Sequence, residues 1–124
     1  MNKKILIAED EPSIVAAVEY LLHRGGYEVL VARDGEEALQ LVESSLPDLV
    51  LLDVMMPLRS GYEVCARIRE RADWGHIKII MLSAKRRDAE VTKGLAMGAD
   101  LYITKPFSTR ELMDKIAVLL KSND

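Results

Sequence analysis

A chain of 124 residues, 49% of them hydrophobic and 30% charged, has the composition and length of one globular domain with a sizeable core. The formal net charge of −3 excludes the strongly basic balance that wholesale nucleic-acid binding requires. The single cysteine, Cys65, excludes an internal disulfide. The N-terminal apolar run is too short for a secretory signal, and no run approaches transmembrane length. We therefore predict a single cytoplasmic domain over residues 1–124 that contacts neither membrane nor nucleic acid.

Short apolar runs alternate with longer amphipathic segments along the chain. The first, third and fourth runs, Ile5–Ala8, Leu49–Leu52 and Ile79–Leu82, are uninterrupted, which is typical of parallel strands buried on both faces. Val29–Val31 and Leu101–Ile103 are shorter or flanked by charge, as edge strands often are. The pattern predicts five strands.

The segments between these strands carry helix-start signals. Pro12 occupies a first-turn position, and the apolar stripe that follows it ends at Gly25. Asp34, Ser60 and Ser108 each stand three residues before a glutamate, which is the spacing of a capping box. These signals predict the first, second, third and fifth helices.

The fourth predicted helix, Asp88–Met97, has the weakest apolar pattern. Val91 and Leu95 are expected to be its main core anchors before Gly98 ends it. A sparsely anchored helix can shift at a lower free-energy cost than a well-anchored one. We therefore expect this helix to be the one that moves.

The order of elements is a strand followed by a helix, five times. Such alternation predicts an α/β fold, (βα)5 and doubly wound, with a five-stranded parallel sheet, helices on both faces and right-handed crossovers.

Polar side chains follow four of the predicted strands. Glu9 and Asp10 follow the first strand, Asp53 the third, Ser83 the fourth and Lys105 the fifth. Because ligands of open α/β sheets bind at the carboxyl ends of the strands, we expect these residues to form one site.

The residue types at this edge favour phosphoryl transfer. Three carboxylates in a small space repel one another unless a cation joins them, and oxygen ligands of this kind suit Mg²⁺. A carboxylate beside a metal ion, an ammonium group and a hydroxyl can attack phosphorus and form an acyl phosphate. Asp53, which ends the most hydrophobic strand, is the predicted nucleophile.

A resemblance to a known protein family rests on four segments taken in chain order: ILIAEDE, LVLLDVMMP, IIMLSAK and GADLYITKPF. Over nearly its full length the chain resembles a receiver domain of a two-component response regulator. The resemblance implies the flavodoxin-like strand order 2-1-3-4-5 and a signalling domain rather than an enzyme with an external substrate. It also implies that the domain catalyses its own phosphorylation and slow autodephosphorylation.

The resemblance assigns the metal site and the phosphoacceptor. It implies that Asp53 accepts the phosphoryl group and also binds Mg²⁺, for which Mn²⁺ could substitute. Asp10 would bind the metal directly and Glu9 through water. The backbone carbonyl of Met55 would complete the ligands that the protein supplies.

The resemblance also assigns phosphoryl contacts and a switch. Ser83 and Lys105 would contact the phosphoryl oxygens, and the Lys105–Pro106 peptide bond would be cis. Ser83 and Tyr102 would change position together on phosphorylation.

The implied partners are a sensor histidine kinase or a phosphotransfer protein, which would supply phosphohistidine. The face formed by residues 88–121 would then form a homodimer or bind another partner. Receivers attached to winged-helix DNA-binding domains often have two acids after the Gly-Ala of the last motif, whereas Leu101 follows Asp100 here. Arg110, Glu111 and Lys115 still resemble that group, so a stand-alone regulator and a part of a longer one both remain open.

Two other functions fit the sequence less well. A Mg²⁺-dependent phosphatase with an aspartate nucleophile needs a second acid two residues later, where this chain has Met55. A flavin-binding domain of similar topology needs a phosphate-binding loop after the first strand, where Glu9, Asp10 and Glu11 would repel phosphate.

Overall fold

The structure, a computed structural model, describes residues 2–84 and 88–121, except for the side chain of Asp88. The strands are β1 (Lys4–Ala8), β2 (Glu28–Ala32), β3 (Leu49–Asp53), β4 (Lys78–Ser83) and β5 (Leu101–Thr104). The α-helices are α1 (Pro12–Arg24), α2 (Gly35–Ser45), α3 (Gly61–Arg69), α4 (Asp88–Ala96) and α5 (Thr109–Lys121), and a short 3₁₀ helix spans Ala72–Trp74.

The strands form one parallel sheet in the order β2-β1-β3-β4-β5, as predicted. Ile7 of β1 pairs with Leu51 of β3, which in turn pairs with Ile80 of β4. All three side chains are buried because these strands are covered by helices on both faces. The uninterrupted apolar runs therefore identified the central strands correctly.

The sheet separates two apolar cores. Successive residues of a strand point to opposite faces, so each strand supplies both cores. One core joins the sheet to Val18 of α1 and Ile116 of α5. The other joins it to Val42 of α2 and Ile68 of α3.

The predicted capping residues begin three of the helices. The backbone N–H groups of Glu37, Glu63 and Glu111 donate to the side chains of Asp34, Ser60 and Ser108, respectively. Each side chain satisfies one of the N–H groups that a helix start leaves without an intrahelical partner. Within residues 2–84 and 88–121, no helix combines the length and the apolar character needed to cross a bilayer.

The predicted anchoring of α4 was partly wrong. The side chain of Leu95 is 45% exposed, whereas the adjacent Gly94 is buried against the Tyr102 ring and Met81. Since successive helix residues are about 100° apart, facing Gly94 towards the sheet turns Leu95 towards solvent. Pattern analysis favoured the larger apolar residue and missed the glycine that makes the close contact.

The start of α3 lies directly against the end of β3. The Gly61 N–H donates to the Val54 carbonyl at 2.9 Å. A Cβ atom at Gly61 would overlap the Asp53 carbonyl oxygen and lie 2.8 Å from the Val54 Cα. Only glycine permits this approach, which fixes the position of α3 relative to the strand that carries Asp53.

We expect Gly61→Ala to destabilise the domain by about 2 kcal/mol, because the added methyl group meets backbone atoms that cannot move away. Alanine in a helix is otherwise favoured over glycine by about 1 kcal/mol, so the expected sign opposes helix propensity. Urea denaturation measures the change. Gly75→Ala is the matched control, since its Cβ would lie 3.3 Å from one carbonyl oxygen, and equal stability of the two variants would contradict the packing argument.

Candidate functional site

The structure places the predicted site residues together at the carboxyl edge of the sheet. Glu9 follows β1 and is fully buried, while Asp53 ends β3 and Ser83 ends β4, with 5% and 1% exposure. Lys105 follows β5 and is half-buried, and Asp10 is exposed. The strand ends therefore form a pocket with buried polar walls and an open side.

The carboxylates of Glu9, Asp10 and Asp53 form the centre of this site. One oxygen from each lies within 4.8 Å of the other two. Two of these side chains are buried, so water can screen their mutual repulsion only weakly. The cluster therefore concentrates negative charge at one point.

Lys105 compensates part of that charge. Its Nζ donates to Glu9 Oε1 at 2.9 Å and lies 3.6 Å from Asp53 Oδ2. Burial alone would lower the pKa of Lys105, but the hydrogen bond to Glu9 and the charges of Asp53 and Glu9 raise it above its ordinary value. The side chain therefore remains an ammonium group at neutral pH. The backbone N–H of Lys105 donates to the Ser83 carbonyl at 2.7 Å, and the Lys105–Pro106 peptide bond is cis, as expected.

The pKa of the Asp53 carboxyl lies well above its ordinary range. Burial is the largest cause, followed by the hydrogen bond and the charge of Glu9, and together they raise its pKa to about 7. The Met55 N–H, which donates to Asp53 Oδ1 at 3.2 Å, and Lys105 act in the opposite direction. One ammonium group thus does not balance the buried acids.

The donor set of this pocket suits a divalent cation. Its three carboxylates offer oxygen atoms, and a cation would supply the positive charge that the raised pKa of Asp53 indicates is lacking. Mg²⁺ prefers such oxygen ligands and retains water on its open positions. Glu9, Asp10 and Asp53 could hold it, and the Met55 backbone lies beside them through its hydrogen bond to Asp53.

The loop between β3 and α3 is fastened to α2, a feature that the sequence analysis missed. The Gly35 N–H donates to the Pro57 carbonyl at 3.2 Å, and the Arg59 guanidinium bonds to both Glu36 and Glu63. Arg59 joins two helices whose adjacency becomes visible only after folding. These contacts stabilise the loop that carries Met55.

Tyr102 lies near the site but not in it. Ser83 of β4 pairs with Thr104 of β5, so these two side chains lie on the same face of the sheet. Tyr102 is two residues before Thr104 in the same strand and therefore lies on that face as well. The Tyr102 ring packs against Gly94 of α4. A side chain at this position can therefore respond to both β4 and α4.

Comparison with known proteins identifies the class. The sequence model of the response regulator receiver domain matches residues 5–117, and the chain belongs to this family, the receiver domains of two-component systems. The chain is 46% identical over 124 residues to the alkaline phosphatase synthesis transcriptional regulatory protein PhoP of Bacillus subtilis. That match covers the whole chain but 51% of PhoP, so the chain spans about half the length of this curated relative.

Solved receiver structures match the fold closely. The receiver domain of the Francisella response regulator 1452 is 32% identical, with a TM-score of 0.93 over 99% of this chain and 100% of that one. The receiver domain of the sensor histidine kinase PA1611 of Pseudomonas aeruginosa is 28% identical, with a TM-score of 0.88 over 98% and 99% of the two chains. The latter structure has a magnesium ion coordinated in its active-site cleft.

We expect Asp53→Asn to stabilise the metal-free domain at pH 8 by on the order of 2 kcal/mol and to have little effect at pH 4. The folded-state pKa of Asp53, about 7, lies above its ordinary value of 3.8, so ionisation destabilises the fold as pH rises through this window. Asparagine removes the charge and therefore the penalty. Urea denaturation of wild type and variant across pH 4 to 8, in EDTA, measures the difference, and a gap that does not change with pH would contradict the argument.

Proposed function

We propose that the domain is a phosphorylation switch in which Asp53 accepts a phosphoryl group. The observation that carries the proposal is the buried Asp53 carboxyl, held among Glu9, Asp10 and Lys105 at an open sheet edge. Burying such a charge opposes folding, so its chemistry is the best reason for its position. The family to which the chain belongs supports the same reading.

In the proposed reaction, an Asp53 carboxylate oxygen attacks the phosphorus of a phosphohistidine. A new O–P bond forms while the N–P bond breaks, and its electron pair returns to the imidazole nitrogen, which can take up a proton from solvent. The product is an acyl phosphate on Asp53 and a histidine on the donor. Asp10, Asp53 and the backbone carbonyl of Met55 would hold Mg²⁺ directly, and Glu9 would hold it through water. The ion would neutralise charge on the transferring group, and Mn²⁺ could substitute for it.

Lys105 and Ser83 would bind the phosphoryl oxygens. The Lys105 ammonium already reaches the carboxylates of Glu9 and Asp53, at 2.9 and 3.6 Å, so it lies where a group on Asp53 would add negative charge. The Ser83 side chain ends the adjacent strand and offers a hydroxyl donor. The same residues would later orient water for slow autodephosphorylation.

The proposed output is a change in the face formed by residues 88–121. Ser83 would move towards the phosphoryl group and Tyr102 would follow, which changes the surface that forms a homodimer or contacts another partner. Asp100 is not free for such a contact, since it accepts from Arg69 Nη2 at 3.0 Å and from the Ile79 N–H at 2.8 Å. Arg110, Glu111 and Lys115 are exposed and remain the candidates.

We propose a sensor histidine kinase or a phosphotransfer protein as the phosphodonor partner. The exposure of Asp10 and Pro106 at the pocket edge leaves the site open on one side, as the approach of a large donor requires. A small phosphodonor should use the same opening, which allows the chemistry to be tested before the donor is known.

We expect acetyl phosphate with Mg²⁺ to add the mass of one phosphoryl group to the wild-type protein, because the site needs only a donor and a cation. Asp53→Asn should lose this gain completely. Asp114→Asn, which replaces an exposed acid of α5, should keep it. Intact-protein mass spectrometry with and without Mg²⁺ measures the adduct.

An adduct of equal amount on Asp53→Asn would overturn the assignment of the phosphoacceptor. If wild type shows no adduct, either the acyl phosphate hydrolyses too fast to be detected or no phosphoryl transfer occurs. Binding of beryllofluoride distinguishes these two causes. If Mg²⁺ and beryllofluoride bind together, hydrolysis outpaces detection, whereas failure of this binding would reject the switch itself.

A further inference from the structure

Tyr62 makes a buried polar contact between α3 and α4. It is the second residue of α3 and is 8% exposed. Its hydroxyl donates to Glu90 Oε2 at 2.6 Å, and the Lys93 Nζ lies 4.4 Å from the centre of its ring. One side chain of α3 thus binds a carboxylate and an ammonium group of α4. An aliphatic residue at this position would fill the core and bind neither group.

Two further hydrogen bonds of α3 reach the residues that follow the C-terminal end of α4. Cys65 Sγ donates to the Met97 carbonyl at 3.4 Å, and Arg69 Nε donates to the Gly98 carbonyl at 2.8 Å. The C-terminal end of α4 is therefore fixed to α3 through backbone atoms. Tyr62 holds the first turn of α4 through side chains, which can exchange partners at lower cost.

The α4 face that meets Tyr62 also meets Tyr102. Glu90 and Gly94 are four residues apart and share one face of the helix. A Cβ atom at Gly94 would lie 2.7 Å from Tyr102 Cδ2, so the ring packs on the helix backbone. Burial, the Glu90 hydrogen bond and the neighbouring Tyr102 phenol raise the pKa of Tyr62, and its hydroxyl therefore remains a donor.

Tyr62 also directly follows a residue that packs on the proposed site of phosphorylation. The preceding residue, Gly61, donates its N–H to the Val54 carbonyl and packs on the backbone of Asp53. A shift of that backbone must move the start of α3, because no side chain separates them. The route from Asp53 to α4 through Tyr62 begins at Gly61 rather than at Ser83, and it meets the other route at Tyr102, whose phenol hydrogen-bonds to the Tyr62 side chain.

We propose that Tyr62 is a positioning residue that holds α4 in place while the Asp53 carboxylate is free. This inference rests on the proposed phosphorylation switch and adds a second element to it. In the structure, Lys105 bonds to the Glu9 carboxylate and the Met55 N–H bonds to the Asp53 carboxylate itself, and a phosphoryl group on Asp53 would compete for both donors. Movement of α4 on phosphorylation must break or rearrange the bond between Tyr62 and Glu90.

The energetic consequence follows from linkage. A contact that stabilises one of two conformations reduces the apparent affinity of any ligand that selects the other. A hydrogen bond to a carboxylate stabilises a conformation by more than a hydrogen bond between neutral groups does. Part of this stabilisation is offset because water hydrates the carboxylate when the bond breaks. We therefore expect its removal to tighten the binding of a phosphoryl analogue by about fivefold.

The test compares Tyr62→Phe with wild type in the binding of beryllofluoride with Mg²⁺, measured by isothermal titration calorimetry on the full chain. Phenylalanine keeps the ring and its packing but removes the donor. Tyr27→Phe is the matched control, because it removes a half-buried phenol from the opposite end of the sheet. Glu90→Gln tests the contact from the α4 side, since its amide oxygen still accepts a hydrogen bond but lacks the charge.

The expected result is tighter binding by Tyr62→Phe, a smaller change in the same direction for Glu90→Gln, and no change for Tyr27→Phe. Phosphorylation by acetyl phosphate should also become faster in Tyr62→Phe. Unchanged or weaker beryllofluoride binding by Tyr62→Phe would overturn the proposal, and so would an equal gain in Tyr27→Phe. If the Tyr62 hydroxyl were merely structural, its removal in Tyr62→Phe would lower the free energy of unfolding without changing the affinity for beryllofluoride.

The design separates two kinds of failure. If wild type fails to bind beryllofluoride, or if Asp53→Asn binds it equally well, the proposed phosphorylation switch fails. If wild type binds it through Asp53 and Tyr62→Phe binds it equally well, the switch stands and the role of Tyr62 fails alone.

Discussion

The hydrogen bond from Lys105 to Glu9 connects the two ends of the chain at the point where negative charge is greatest. These residues are 96 positions apart in sequence, and their atoms lie 2.9 Å apart. Without the ammonium group, Glu9 and Asp53 would be two buried acids with a third acid beside them. Because folding must overcome their repulsion, the ammonium group of Lys105 at the end of β5 offsets part of the cost of burying these acids.

The parallel sheet makes that arrangement accessible to a short chain. Each strand delivers its last residue to the same edge, so residues from four strands meet without any loop having to cross the sheet. The apolar cores on the two faces stabilise the strands against the charge at their ends. Glycine at position 61 then lets α3 begin in contact with the strand that ends at Asp53.

Most of this fold could be predicted because its determinants are local. Uninterrupted apolar runs marked the buried strands, and capping residues marked the helix starts. The grouping of Glu9, Asp53 and Lys105 could also be predicted, since the edge of a parallel sheet is known once the strands are.

Contacts between helices could not be predicted in the same way. Tyr62 and Glu90 are 28 residues apart and belong to different helices, so neither apolar periodicity nor capping signals relate them. The exposure of Leu95 was missed for a similar reason. The rotation of α4 is set by the close approach of the Gly94 backbone to the Tyr102 ring. An apolar pattern gives most weight to large side chains, so it does not predict a contact that is possible only because glycine has no side chain.

The contact between Gly94 and Tyr102 has a mechanical consequence. The Tyr102 ring and the Met81 sulfur both lie directly against the backbone of α4 at Gly94. If the ring were to leave this place, no side chain on Gly94 could fill the space, and an unfilled volume in a packed region loses dispersion contacts on every side. Closing the gap requires either the Met81 side chain or the helix itself to move into it. The size of one aromatic side chain would thereby set the upper limit of how far the helix travels.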